Sequence, residues 1–268
     1  MSKITVDGTR VGDVREEFRL LVSGTAFQPE RAGGTGARAV LERDGAVILS
    51  GLPPEPDSLV LAAAEVLGTR LRRLYPVRER GSDRDDRIHL HNDSHQVVVN
   101  VHGRPTQLRD PDEDYVLIQC VHQASRGGSS VVADGYRLVD RLRDAHPDLW
   151  EFLTTVDVDF YGGWGSQRGV PTTPQVCRHV EWTRGGRRVV RANQGARPMP
   201  RAPQAEHQEA MLDLFADIRA TLAAGAPRLT VRDGEILLLD NYRCWHGRDP
   251  HDTPRLVRIM TVKTTGAM

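Results

Sequence analysis

Glu235-Ile236-Leu237-Leu238-Leu239-Asp240-Asn241-Tyr242-Arg243-Cys244-Trp245-His246-Gly247-Arg248 is an apolar run entered from Asp233-Gly234 and left through a polar, aromatic stretch. Such a short aliphatic run behind a turn signal predicts a buried strand, Glu235–Leu239, that delivers His246 just past its end. Upstream, the same β-like texture recurs from Ile88 onward, at Gln96–Val101, Tyr115–Val121, Ser130–Ala133, Val176–Trp182, Arg188–Ala192 and Leu229–Val231. Many short strands separated by turn residues predict a mainly β chain, an antiparallel double-sheet jelly roll with flanking helices packed on one outer face. The predicted helices are Val14–Leu21, Asp57–Leu67 capped by Asp57 or Ser58, Tyr136–Thr154 with a break at His146-Pro147, and Ala205–Leu222. Gly45–Ser50 reads as a further buried strand.

Composition narrows the function. The 268 residues carry 36 Lys and Arg against 36 Asp and Glu, so there is no basic excess of the kind nucleic-acid binding requires. No apolar run approaches the ~20 residues that cross a bilayer, which argues against a membrane partner. Cys120, Cys177 and Cys244 form no CxxC pair, and Met1–Asp7 lacks the apolar core of a secretory signal, so the expected location is cytoplasmic. Neither repeats nor a Pro/Ser linker divide the chain, and one domain over 1–268 is expected. The expected partner is a small-molecule substrate; composition sets no oligomeric state.

Ile88-His89-Leu90-His91-Asn92-Asp93-Ser94-His95 is the chemically richest stretch. Residues two apart on a strand share a face, so His91 and Asp93 would aim an imidazole and a carboxylate into one cavity. The same pattern also suits a solvated strand face. With His246 the set becomes two His and one carboxylate with coordination positions left open, the facial triad of non-heme Fe(II) oxygenases. Zinc would favour a closed tetrahedral set, and a fourth ligand is not evident.

The succession of His91-x-Asp93, Gly127-Gly128-Ser129-Ser130, Asp240-Asn241-x-Arg243-x-x-His246-Gly247-Arg248 and a final Arg resembles the taurine dioxygenase and clavaminate synthase-like family over residues 45–263. The resemblance implies a double-stranded β-helix core, Fe(II) held by His91, Asp93 and His246, and 2-oxoglutarate and O2 as co-substrates. It implies that 2-oxoglutarate is converted to succinate and CO2 while a small polar molecule, such as an amino acid or an intermediate of specialised metabolism, is oxidised. Ser130 stands where the family usually has Thr and keeps the hydroxyl that meets a 2-oxoglutarate carboxylate; the bare alternative is a hairpin turn. For the distal carboxylate, Arg255 and Arg258 are the candidates, and the local likeness of Arg258-Ile259-Met260 favours Arg258. The position four beyond it, often a second Arg in the family, is Val262. Related halogenases carry a small residue at the carboxylate position, so Asp93 implies hydroxylation, with desaturation or cyclisation open to the same triad. A non-catalytic β-helix binding protein and a zinc hydrolase are the competing readings.

Other features divide evenly between function and scaffold. His89 and His95 share a face with the ligands if the strand stays regular, or face solvent. The Gly-rich stretch Tyr161–Gly169 suits an active-site lid or an ordinary connection. The arginines at 70, 72, 73, 78 and 80 are followed by acids at 79, 83, 85 and 86, which predicts a solvated mixed-charge face. Trp245 is expected to pack around the metal.

Overall fold

The computed structural model describes residues 11–72, 76–93, 96–101, 104–109, 113–164 and 174–265. In chain order these form α1 (Val11–Val22), β1 (Ala26–Phe27), β2 (Glu30–Arg31), α2 (Gly34–Asp44), β3 (Ala46–Leu49), α3 (Pro56–Leu67), β4 (Arg78–Ser82) and β5 (Ile88–His91). Next come the hairpin β6 (Gln96–Val101) and β7 (Arg104–Arg109), β8 (Tyr115–His122), β9 (Ser130–Asp134), α4 (Gly135–Ala145) and α5 (Pro147–Thr155). Short strands β10 (Val158–Asp159), β11 (Val176–Cys177), β12 (Val180–Trp182), β13 (Arg188–Val190) and β14 (Arg197–Pro198) lead to α6 (Ala205–Gly225), β15 (Ile236–Asp240), β16 (Cys244–Arg248) and β17 (Arg255–Val262).

Two sheets carry the architecture. The larger has strand order β2-β3-β15-β8-β17-β4 and the smaller β1-β9-β16-β5; all pairs are antiparallel except β2 with β3. β15 is aliphatic at successive positions because it is covered on both faces. Ile236 and Leu238 meet α2 and α3 through Leu41, Leu59 and Ala62, while Leu237 and Leu239 join Ile48, Ile118 and Val132 between the sheets. On the far side of the smaller sheet, Leu90, Ala133 and Trp245 pack against α1, α4, α5 and α6. Helices therefore cover both outer faces and not one, because each sheet has an apolar outer face to bury.

Local chemistry explains the element ends. Pro147 has no N–H to continue a helix, so α4 stops at Ala145 and α5 restarts on the proline. Asp134 caps α4 by accepting from Arg137 N at 3.1 Å. α3 starts one residue earlier than the expected cap, with Pro56 in its first turn and no side-chain cap bond. The predicted strand Leu229–Val231 is reduced to a single bridge between Leu229 and Ser130, and Val176–Trp182 divides into β11 and β12.

His179 tests the packing around α6. It is 1% exposed, with ring centroids 4.7 Å from Phe160 and 5.1 Å from Phe215, and its Nδ1 donates to the Arg191 carbonyl at 2.9 Å. Burial pushes its pKa from the ordinary 6.5 down to about 3, with Arg219 adding repulsion. The unfolded chain then holds the proton more readily than the folded one, so stability is complete above pH 6.5 and falls as pH drops toward 3. At pH 5 the cost is about 2 kcal/mol. Urea unfolding at pH 7 and pH 5 should show a pH-dependent loss that is smaller by about that amount in His179→Gln; an unchanged loss would place the imidazole in contact with water.

Candidate metal centre

The first two candidate ligands, His91 and Asp93, come from β5 and its exit, the third, His246, from β16, and the pairing of these strands sets their positions. His246 is the direct cross-strand partner of His91, and two residues on, Arg248 pairs with Ile88, three residues back, so β5 carries an extra residue at a bulge. Gly247 lies in that bulge, where a Cβ would come within 2.8 Å of the Ile88 carbonyl oxygen, so only glycine lets the strands close. The bulge also breaks the simple alternation: Ile88 and His91 both line the cavity while His89 is turned outward and exposed. His95 lies outside the described residues.

Asp93 Oδ1 stands 3.3 Å from His91 Nε2 and 3.8 Å from His246 Nε2, and the two imidazoles are 4.4 Å apart at a tilt of 45°. One ligand atom from each residue falls within 4.8 Å of the others, a span that a single divalent ion can bridge. The protonation pattern suits the same task. His91 Nδ1 donates to the His89 carbonyl at 2.9 Å; a carbonyl only accepts, so the proton sits on Nδ1 and the Nε2 lone pair faces the centre. Burial pushes the His246 pKa down to about 4, so its ring is neutral and able to ligate at ordinary pH. Burial also opposes charge on His91, but hydrogen bonding and attraction from Asp93 outweigh it and raise its pKa. These residues fit a metal.

A cavity of about 360 Å³ extends from this cluster between the sheets. Ile118, Leu237, Val257 and Ile259 give it apolar walls, Ser130 lies in its lining from β9, and Arg255 lines it from β17. Arg255 Nε donates to Gln123 Oε1 at 3.2 Å, and burial holds its pKa below the usual range. Gly128, at φ +71°, lies against its stem, where a Cβ would come within 3.3 Å of Arg255 Cδ. Arg258 is not at the cavity. Three residues from Arg255, it shares the opposite strand face with Met260 and Val262, and its Nε donates to Glu79 Oε1 at 2.7 Å while its NH1 donates to the Pro54 carbonyl. The cavity-facing arginine of this strand is therefore Arg255, a shift of three residues from the expectation.

Other expectations change as well. The mixed-charge face is solvated as expected, with Arg70, Arg72, Glu79 and Arg80 exposed, but alternation along β4 also brings Arg78 and Arg80 to the edge of the cavity, with Arg78 NH2 3.7 Å from Asp93 Oδ2 and Arg80 NH2 3.2 Å from Asp85 Oδ2. Trp245 faces away from the metal ligands, donating from Nε1 to the Val190 carbonyl at 3.0 Å within the helix-side core. Of the Gly-rich stretch, 162–164 form a single 3-10 turn and 165–169 lie outside the described residues. Arg248, two residues past His246 and part of the same motif, was given no task by the sequence; it lines the cavity, and its NH2 donates to Asp85 Oδ2 and to the Asp86 carbonyl, both at 2.8 Å.

If these three candidate ligands, the one such cluster among the described residues, hold the metal, each should be indispensable. Mn(II) affinity measured by calorimetry should fall more than about 100-fold in His91→Ala, Asp93→Ala and His246→Ala, with circular dichroism unchanged. A variant that binds as tightly as wild type would remove its residue from the centre.

Residues 21–262 match the model of the taurine catabolism dioxygenase TauD, TfdA family. Among solved structures the chain is similar to AAD-2 in complex with Mn(II) and N-oxalylglycine, at TM-score 0.61 and 15% identity over 89% of this chain and 96% of that one. It is similar to PvcB from Pseudomonas aeruginosa at TM-score 0.56 and 17% identity, covering 87% and 84%. It is also similar to asparagine oxygenase in complex with Fe(II), 2S,3S-3-hydroxyasparagine and succinate, at TM-score 0.55 and 16% identity, covering 97% and 93%. At these identities the structural likeness carries the fold, and the family match carries the membership: the chain belongs to the TauD, TfdA family and is an Fe(II)- and 2-oxoglutarate-dependent dioxygenase.

Proposed function

We propose that this oxygenase acts in the cytoplasm, as one domain with a jelly-roll core, and hydroxylates a small polar molecule of the amino-acid kind. His91, Asp93 and His246 hold Fe(II); Ser130 and Arg255 receive the carboxylates of 2-oxoglutarate. The observation that carries this reading is one cavity with the ligand triad in its lining and a cationic fork, Arg255, held apart from the triad on another strand. Bound there with 2-oxoglutarate and O2, Fe(II) supplies the oxidising power that takes hydrogen from a C–H bond as 2-oxoglutarate leaves as succinate and CO2.

Each residue has a definite task. The planar guanidinium of Arg255 offers parallel N–H donors that match a carboxylate, and Gln123 holds it at Nε so that its terminal nitrogens face the co-substrate. The hydroxyl of Ser130 donates to the other carboxylate. Ile118, Leu237, Val257 and Ile259 keep water from the bound chain and strengthen these charge-assisted bonds. Asp93 occupies the position that a halide would need, which favours oxygen transfer. The substrate class is supported by two relatives of the same fold, one bound to hydroxyasparagine and one, OrfP, bound to (3S)-hydroxy-L-Arg. Three free cysteines accord with a reducing compartment.

A chelated 2-oxo acid gives Fe(II) a visible charge-transfer band, which measures co-substrate binding without a known substrate. Titrated anaerobically, Arg255→Leu should weaken 2-oxoglutarate binding at least about ten-fold, since losing one partner of a buried charge pair costs on the order of 2–5 kcal/mol. Arg258→Leu should stay within about two-fold of wild type. The reverse order would return the clamp to Arg258.

A further inference from the structure

Asn241, in the turn between β15 and β16, is 1% exposed, and both its side-chain oxygen and its side-chain nitrogen bond the backbone of Asp93. Its Oδ1 accepts from Asp93 N at 3.0 Å, and its Nδ2 donates to the Asp93 carbonyl at 2.8 Å and to the Glu113 carbonyl at 2.8 Å. One amide thus brackets the Asp93 Cα from both sides, as a neighbouring strand residue would, and fixes the backbone torsions on which the carboxylate rides. Main-chain bonds extend the grip: Asn92 Nδ2 donates to the Asn241 carbonyl at 2.5 Å, and Asn241 N donates to the Asp114 carbonyl at 2.9 Å.

The base of this clamp is itself held. Arg243 N donates to the Asp240 carbonyl at 3.1 Å and Tyr242 N to Asp240 Oδ1 at 3.0 Å, closing the turn. The Arg187 guanidinium ties Asp240 to Asp114 at 3.0 and 2.7 Å. Asp93 lies past the end of β5, and the two Asn241 bonds hold its backbone on both sides of the Cα so that Oδ1 stays beside the two Nε2 atoms.

We propose that Asn241 is the positioning residue of the metal-binding carboxylate, setting metal affinity through the Asp93 backbone without touching the metal. The inference rests on the triad reading above, and its test separates the two. Metal-stripped full-length protein is titrated with Mn(II) by calorimetry as wild type, Asn241→Ala, His91→Ala and Gln119→Leu, and each metal-free protein is melted. Gln119 is a fully buried amide whose Nε2 donates to the Pro53 carbonyl at 3.2 Å, so its variant reports the general cost of losing such a group. Asn241→Ala should bind Mn(II) at least about ten-fold more weakly, and Gln119→Leu within about two-fold of wild type, at comparable melting temperatures. Should Asn241→Ala fail to fold, Asn241→Ser, which is shorter and admits water, carries the same expectation. Wild-type affinity in a folded Asn241 variant, or an equal loss in Gln119→Leu, would overturn the positioning role while His91→Ala still abolished binding. Undiminished binding in His91→Ala would overturn the triad, and this inference with it.

Discussion

Everything at the centre depends on how β16 meets β5. Their pairing is antiparallel and puts His246 directly across from His91, with a bulge that only Gly247 accommodates. A slip of one residue would turn His246 to the helix-side core and bring Trp245 to the cavity, because successive side chains alternate between faces. The large apolar partners of Trp245, Phe215 among them at 5.8 Å, hold the register against that slip. Packing on one face of the small sheet is thus what keeps the ligands together on the other.

The same two-faced logic runs through the larger sheet. Its outward residues are tied down by α2 and α3, and on its inward side β4 and β17 line the cavity with Arg78, Arg80 and Arg255 beside the apolar Val257 and Ile259. Burying a guanidinium costs free energy unless something pairs with it. Buried Arg248 is paired with Asp85 at 2.8 Å, and Gln123 accepts from Arg255 Nε at 3.2 Å.

Much of this was legible in the sequence because ligand chemistry demands particular residue types at particular spacings. His91, Asp93 and His246, and Ser130 in its Gly-Gly turn, are recognisable one residue at a time, and the structure brings them to one cavity. Strand facing was harder to read. Arg255 and Arg258 are both arginines on one strand, and only the strand's pairing with β4 and β8 decides which of them looks inward. The arginines of β4 lie among acids and form the solvated charge run that they resemble, yet alternation also brings Arg78 and Arg80 to the cavity's edge. His89 is displaced by a bulge that no local signal announces. Asn241 was visible as part of a motif, but its task depends on a segment 148 residues away.

The most direct test of the account is the iron anomalous signal in crystals grown anaerobically with Fe(II) and 2-oxoglutarate. A single strong peak should lie between His91 Nε2, Asp93 Oδ1 and His246 Nε2, with co-substrate density running from it along Val257 to the Arg255 guanidinium. A peak away from these three atoms, or a distal carboxylate held by Arg258, would contradict it.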